Sequence, residues 1–393
     1  MKVSCQMSRS SSLALEHVVT AVVDAGPGGV EPEVLAQAFA GVSRSTLNRR
    51  LRDLVVLGRV KALGQGRATR YVSAAPFPVE AVVRYFETDW LARPAVRFRD
   101  ELLRPEPLID ADKAARLKRL QGRARTLDRK FLADFLIDFS WASSVLEGST
   151  YSAIDTQALI EYGQRNPDKP VEDALLVLDH KNAIENLWGQ RELSVAALCR
   201  LQSLLTDRHG LPEAEDSDHF LPEAQRGRPR EFEDVRLGRS AYSPPFRPGT
   251  GYVGAALADI VTTAARLEPV AAAFFLMTRI PYLQAFANGN KRTARLAANI
   301  PLLAAGLLPL SFVDFPKADY VAGMAAFYEL GDIQIIERVF IQGYVRSIVR
   351  GSDLPARLRV TGLRMDELVP ELVRFVQAGH LPETANASAF LGE

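Results

Sequence analysis

From Leu267 to Leu307 the chain reads LEPVAAAFFLMTRIPYL, then a polar turn, then a second apolar run ending in NIPLLAAGL. A helix that is apolar on every side has no solvent face, so this segment must form the inside of a large helical core. The turn between the runs, AFANGNKRTAR, is the exception that demands an explanation. Helical spacing resumes at Asn290, which makes Asn288-Gly289-Asn290 the start of a helix. Gly289 permits positive φ, the first N–H groups of the helix converge there, and its dipole favours an anion. Arg292 and Arg295 lie three residues apart on one face and can fork around phosphate oxygens, while Lys291 adds a point charge. Two readings stay open on the residues alone. One is a phosphate seat on a rigid scaffold, the other a pair of arginines neutralised by carboxylates of a packed neighbour.

The rest of the chain agrees with a mainly α protein. Its 393 residues allow two or three domains, and 48 Lys and Arg against 47 Asp and Glu leave no overall charge that would imply a nucleic-acid or membrane partner. Cys5 and Cys199 are too few and too far apart for a disulfide framework or a zinc site. No uncharged stretch reaches the roughly eighteen residues of a membrane helix, and the start lacks a secretion signal, so a cytoplasmic location is expected. No internal repeat or low-complexity tract is present.

Residues 1–75 form a separate head. SLALEHVVTAVVDAG and EPEVLAQAF read as two helices, and GVSRSTLNRRLRDLVVLG as a third, with Ser43 as N-cap and Leu47, Leu51 and Leu54 as its apolar stripe. RVKALGQGRATRYV then reads as a hairpin around Gly64-Gln65-Gly66. Ten basic residues stand against five acidic ones here, a net of +5 in a chain whose total is +1. The order of elements resembles the winged helix-turn-helix family, which implies an α/β winged-helix domain with its third helix in the major groove of double-stranded DNA. Arg44, Arg49, Arg50, Arg67 and Arg70 are the expected DNA contacts. A basic protein-binding module is the competing reading. A Pro-rich boundary near residue 76 opens a linker and N-terminal helical region over 76–130. The helical core follows over 131–350, interrupted by the polar loop RGRPREFEDVRLGRSAYSPPFRPGTGYV. The tail, 351–393, carries one amphipathic helix and is expected to fray beyond it.

The stretch Gln284 to Arg295 resembles the Fic/Doc signature, which runs His, x, Phe, x, acid, Gly, Asn, Gly or Lys, Arg, two residues, Arg. Phe286, Gly289, Asn290, Lys291, Arg292 and Arg295 match, whereas Gln284 stands at the histidine and Asn288 at the acid. SSVLEG, with Ser143, Glu147 and Gly148, resembles the family's inhibitory helix motif, and DTQALIEYG, LDHKNAIE and SAYSPP extend the resemblance over most of 80–350. It implies a Fic-type helical core with a small β-hairpin flap, ATP and Mg²⁺ as cofactors, and transfer of AMP to a protein hydroxyl. In that scheme Gln284, Asn288 and Arg292 hold the catalytic positions; Gly289, Asn290, Lys291, Arg292 and Arg295 bind nucleotide, Arg295 on the γ-phosphate. Glu147 competes by pairing with Arg295, and a target protein docks on the flap near Ser240–Pro245. Lys291 resembles relatives that transfer phosphate instead.

Glutamine does not accept a proton near neutral pH, so the family's base is missing at Gln284. Asn288 offers a neutral oxygen where relatives hold Mg²⁺ with a carboxylate, and weaker metal binding is expected. His17, His180, His209, His219 and His380 are the other histidines, and His209 and His219 read as surface residues. Three functions follow in order: an adenylyltransferase gated by Glu147, a transcriptional regulator with a nucleotide-sensing core and no turnover, and a scaffold for homo-oligomer formation. The intact Arg292 and Arg295 count against the last.

Overall fold

The computed structural model describes residues 13–64, 69–189, 191–214, 217–353 and 365–392, which form two compact units. One holds the chain up to Arg97 together with Leu237–Ser243 and Tyr328–Asp332; the other holds Phe98–Arg236, Pro244–Phe327 and Ile333–Glu393. Two short later segments therefore belong with the N-terminal unit, and the C-terminal helices belong with the second.

The first unit begins with α1 (Leu15–Asp24), α2 (Pro32–Ala38) and α3 (Arg44–Val56). Val18, Val22, Leu35, Leu47, Leu51 and Leu54 form its core. The Ser43 hydroxyl accepts from Thr46 N–H at 3.2 Å and so starts α3 where the sequence placed its cap. β1 (Val60–Leu63) pairs antiparallel with β2 (Arg70–Ser73), from Val60 opposite Ser73 to Leu63 opposite Arg70. The turn expected at Gly64-Gln65-Gly66 falls largely outside the described residues, as does Arg67. After α4 (Val79–Glu87), the short β3 (Val96–Arg97) pairs parallel with β4 (Tyr242–Ser243). The buried Arg93 guanidinium binds both oxygens of Glu329 at 3.0 and 3.1 Å and stacks over Phe86. Those contacts fasten the late segment to this unit.

The second unit is helical: α5 (Ala111–Arg119), α6 (Arg129–Glu147), α7 (Ala153–Tyr162), α8 (Val171–Gly189), α9 (Val195–Leu205), α10 (Tyr252–Ala264), α11 (Pro269–Leu283), α12 (Asn290–Ala297), α13 (Asn299–Ala304), α14 (Lys317–Leu330), α15 (Gln334–Arg350), α16 (Met365–Ala378) and α17 (Ala385–Leu391). As its composition demands, α11 is buried from Val270 to Leu283. Glu268 caps it by accepting from Val270 and Ala271 N–H at 2.9 and 3.2 Å, and Pro269 fits the first turn, where no N–H is needed. Each fully buried Phe, Leu, Ile or Met side chain along it stabilises the fold by about 1.5–3 kcal/mol. The one charge inside, Arg279, donates to the carbonyls of Arg104, Pro105 and Pro107 and lies over Phe275 and Phe327; burial pulls its pKa down to about 9. α11 packs on α10, α12 and α13, α6 packs on α8, and α9 packs on both α8 and α12, while α12 also meets α8 and α13.

The chain does not fray after α16. Thr384 caps α17, the Glu371 carboxylate accepts from Glu383 and Thr384 N–H at 2.9 and 3.0 Å, and Arg123 donates to the carbonyls of Ala389 and Phe390. Periodicity missed this helix because it has seven residues and is held by partners far away in sequence. In the polar loop at 226–253 the strand among the described residues is β4, paired with β3. No described helix is long and apolar enough to cross a membrane.

Close packing inside α15 yields a test. A Cβ on Gly343 would lie 1.7 Å from Cε2 of the buried Phe315. Gly343→Ala should therefore destabilise the second unit by about 1–3 kcal/mol, read as a shifted urea midpoint; an unchanged midpoint would refute the packing described.

Candidate functional site

α11 ends because Pro281 lacks an N–H and Gln284 takes a left-handed conformation, φ 49°. The Gln284 side chain turns inward. Its Nε2 donates to Pro281 O at 2.6 Å, and its Oε1 accepts from Asn290 Nδ2 at 3.0 Å. Asn290 also clamps the turn, its Oδ1 accepting from Phe286 N–H and its Nδ2 donating to Phe286 O, both at 2.8 Å. Gly289 has φ 77°, and a Cβ there would lie 2.8 Å from Thr206 Cγ2, so both conformation and space call for glycine. Gln202 Nε2 donates to Asn288 O at 3.1 Å, which fixes the turn against α9. Arg230, buried, donates from Nε to Gln284 O at 2.5 Å and from Nη2 to Pro245 O at 2.6 Å. Gln202, Thr206 and Arg230 carry no local signal that would have singled them out.

Asn288 spends both ends of its amide on the backbone. Oδ1 accepts from Gly289 N–H at 2.5 Å, and Nδ2 donates to Asp218 O. Among the described residues no group of three or more His, Cys, Asp or Glu side chains could hold a metal ion. With a neutral, already engaged oxygen at the acid's position, the residues present do not fit a protein-held Mg²⁺.

The two arginines are placed differently. Arg292, 2% exposed, donates from Nη1 to Leu205 O and from Nη2 to His219 O, each at 2.5 Å. Its terminal nitrogens are thus committed to the segment that follows α9. Arg295 is fully buried: Nε donates to Ser143 Oγ at 2.9 Å, Nη2 to Glu147 Oε1 at 2.7 Å and to Ser143 O at 3.3 Å, and the Tyr320 hydroxyl lies beside the guanidinium. Ser143 and Glu147 lie one turn apart on α6, as their spacing requires. Gly148, in the left-handed region at φ 112°, ends α6 directly after the glutamate.

Electrostatics agrees with geometry. Burial alone would raise the Glu147 pKa, but Arg295, Lys291 and Arg292 outweigh it and hold the carboxyl far below its usual range. Burial is the main cause lowering the Arg292 pKa. His180, on α8, sits 2.7 Å from Ser143 Oγ through Nε2 and 2.6 Å from Leu176 O through Nδ1. Burial, with Arg295 and Arg292, lowers its pKa to about 3. The preceding residue, Asp179, is buried and meets His209 Nε2 at 2.6 Å; this bond raises the His209 pKa. Of the two histidines expected at the surface, His209 is exposed, while His219 is partly buried and presents its carbonyl to Arg292. Sequence reasoning missed all three because their partners lie on other helices.

The remaining expected contacts fall in the first unit. Arg44 pairs with Glu33, Arg50 is partly buried and 3.7 Å from Asp53, and Arg70 is tied to Glu31 and to the carbonyls of Gly28 and Gly29. Arg70 therefore does structural work in its own loop instead of facing outward. Arg49 is exposed, and so are Asn48 and Arg52 on the same helix. Near the expected flap, Ala241 O accepts from Val96 N–H at 2.8 Å, while Glu329 accepts from Ser240 Oγ and Ala241 N–H at 2.9 and 3.1 Å. One edge of Ser240–Ser243 is thus already paired.

Residues 192–302 match the profile of the Fic/DOC family, and the chain carries a Fic/DOC domain. It is similar to the protein adenylyltransferase fic-1 of Caenorhabditis elegans, at 24% identity over 242 residues. That match covers 57% of this chain and 44% of the relative, so it spans less than half of that protein. Solved structures that resemble it include Fic-1 of C. elegans (19% identity, TM-score 0.49, covering 86% of this chain and 89% of that one). A Fic family protein from Desulfovibrio desulfuricans is also similar (20% identity, TM-score 0.49, 74% and 86% covered).

Removing Glu147 leaves a buried guanidinium without its counter-charge. Glu147→Ala should cost about 3 kcal/mol in urea denaturation without ligand. The carboxyl's folded pKa is depressed, so the pair's contribution is fully present above the ordinary carboxylate range and is lost only as pH falls below it. The difference between wild type and variant should therefore be constant from about pH 8 to about pH 6. A difference that vanishes within that window would contradict the ion pair.

Proposed function

We propose that the second unit binds ATP at the start of α12 and that Glu147 keeps this site closed. The observation that carries the reading is the Arg295 guanidinium, fully buried, with the Glu147 carboxylate on one terminal nitrogen and the Tyr320 hydroxyl beside it. A terminal phosphate would supply oxygens to both nitrogens and replace the carboxylate's charge. The inner phosphates would lie on the N–H groups of the first turn of α12, beside Lys291. Magnesium would arrive with the nucleotide, since Asn288 offers it only a neutral, already engaged oxygen.

The reaction this seat serves is transfer of AMP to a protein hydroxyl. The hydroxyl oxygen attacks the α-phosphorus, the bond to the β-phosphate oxygen breaks, pyrophosphate leaves, and the hydroxyl proton must go to a base. Gln284 is not that base, and its amide is already engaged with Pro281 and Asn290. Loss of positioned proton transfer slows such chemistry by on the order of a hundred- to ten-thousand-fold. The same observation favours a second reading, a nucleotide sensor without turnover. Lys291 keeps phosphate transfer as a third outcome.

Labelling separates the three. Glu147→Gly with Mg²⁺ and ATP labelled at the α-phosphate is expected to give slow label on protein, raised by Gln284→His in the same background. Label from the γ-phosphate would mean phosphate transfer. No label until Gln284→His is added would leave the sensor reading, and none in either variant would defeat adenylyl transfer.

For the first unit we propose binding of double-stranded DNA through the exposed face of α3. Asn48, Arg49 and Arg52 lie there with the spacing of one helical face. Replacing Arg49 and Arg52 by alanine should reduce the slope of log K against log salt by about 2, at about 0.9 per phosphate contact. Absence of any mobility shift at about 50 mM salt would overturn the proposal. Capture of a protein through the exposed Val56 and Leu57 would then be the better reading.

A further inference from the structure

We propose that His180 is a positioning residue: through Ser143 it aims the Arg295 guanidinium at the terminal phosphate of the nucleotide. The proposal rests on the ATP reading above and adds a residue that no part of the signature contains.

The argument begins with donors and acceptors. Leu176 O can only accept, and it lies 2.6 Å from His180 Nδ1, so Nδ1 carries the proton. Fully buried near two guanidiniums, the ring stays neutral, which leaves a lone pair on Nε2. Ser143 Oγ, 2.7 Å away, must then donate to Nε2. With its proton committed, the hydroxyl turns its lone pairs toward Arg295, whose Nε donates to it at 2.9 Å. The chain of bonds therefore runs in one direction, from Arg295 through Ser143 and His180 to the backbone of α8.

This arrangement has a specific consequence for the anion. Ser143 Oγ takes Nε, at the root of the guanidinium, and leaves the terminal Nη2 to reach Glu147, with a longer bond to the Ser143 carbonyl. When Glu147 withdraws, Ser143 and His180 need not move, because the glutamate sits one turn further along α6. The fork then stays aimed without its inhibitor. An apolar ring at position 180 would leave the Ser143 hydroxyl free to rotate and donate elsewhere, and Arg295 would lose its brace.

The experiment uses the full chain with Glu147→Gly and compares ATP with ADP by calorimetry, because only ATP carries the terminal phosphate. The parent variant is expected to prefer ATP by about tenfold or more. Ser143→Ala and His180→Phe should each remove that preference, weakening ATP by about tenfold while changing ADP by less than about twofold. The two changes together should cost no more than Ser143→Ala alone, since one acts through the other. His180→Gln, whose amide oxygen can still accept from Ser143, should recover most of the preference. Thermal denaturation shows whether each variant is folded; if His180→Phe is not, Ser143→Ala and His180→Gln carry the test. An unchanged ATP-to-ADP ratio in folded Ser143→Ala or His180→Phe overturns the proposal, as does an equal loss for both nucleotides. If folded Glu147→Gly binds no ATP at all, the nucleotide reading itself falls, which is a different result from binding with an unaltered ratio.

Discussion

A guanidinium without solvent exposure is tolerated only where charge and hydrogen bonds replace water, and Arg295 is such a group. Two of its partners come from one face of α6: the Ser143 hydroxyl holds the root of the fork, and the Glu147 carboxylate holds one tip. That requirement fixes α6 against the last turn of α12 and places the glutamate at the last residue before the Gly148 cap. It also makes the site exchangeable in principle. The carboxylate bonds one terminal nitrogen of Arg295, a place that an ion with more oxygens could take.

The neighbouring arginine obeys the same rule with different means. Arg292 is satisfied by two backbone carbonyls from the segment after α9, and that segment is tied down through His209 to Asp179. Asp179 and its chain neighbour His180 thus anchor the surroundings of Arg292 and Arg295 respectively. α8 lies behind the motif as a support for both, a role invisible in a search for signature residues.

Much of this was legible in the sequence. The all-round apolar α11 forced a buried helical core, and the Gly289 turn and the four-residue spacing of Ser143 and Glu147 placed the cationic start of a helix beside a carboxylate. What sequence could not show depends on contacts between distant elements. No periodicity tells which carbonyls Arg292 will meet, that Gln284 folds its amide inward, or that the tail's last seven-residue helix is held by Glu371 and Arg123. Charge counting misled in the head for the same reason. Arg70 adds to the basic total, yet it is tied to Glu31 and the loop at Gly28 and Gly29, whereas Arg52, left out of the expected contacts, is exposed on α3.

On the function proposed above, Glu147 and a polyphosphate compete for the Arg295 fork, and the dissociation constant of ATP measured side by side in the unaltered chain and in Glu147→Gly tests this most directly. The account predicts that the constant falls by about tenfold or more on losing the carboxylate. Equal affinities in two folded proteins would contradict it.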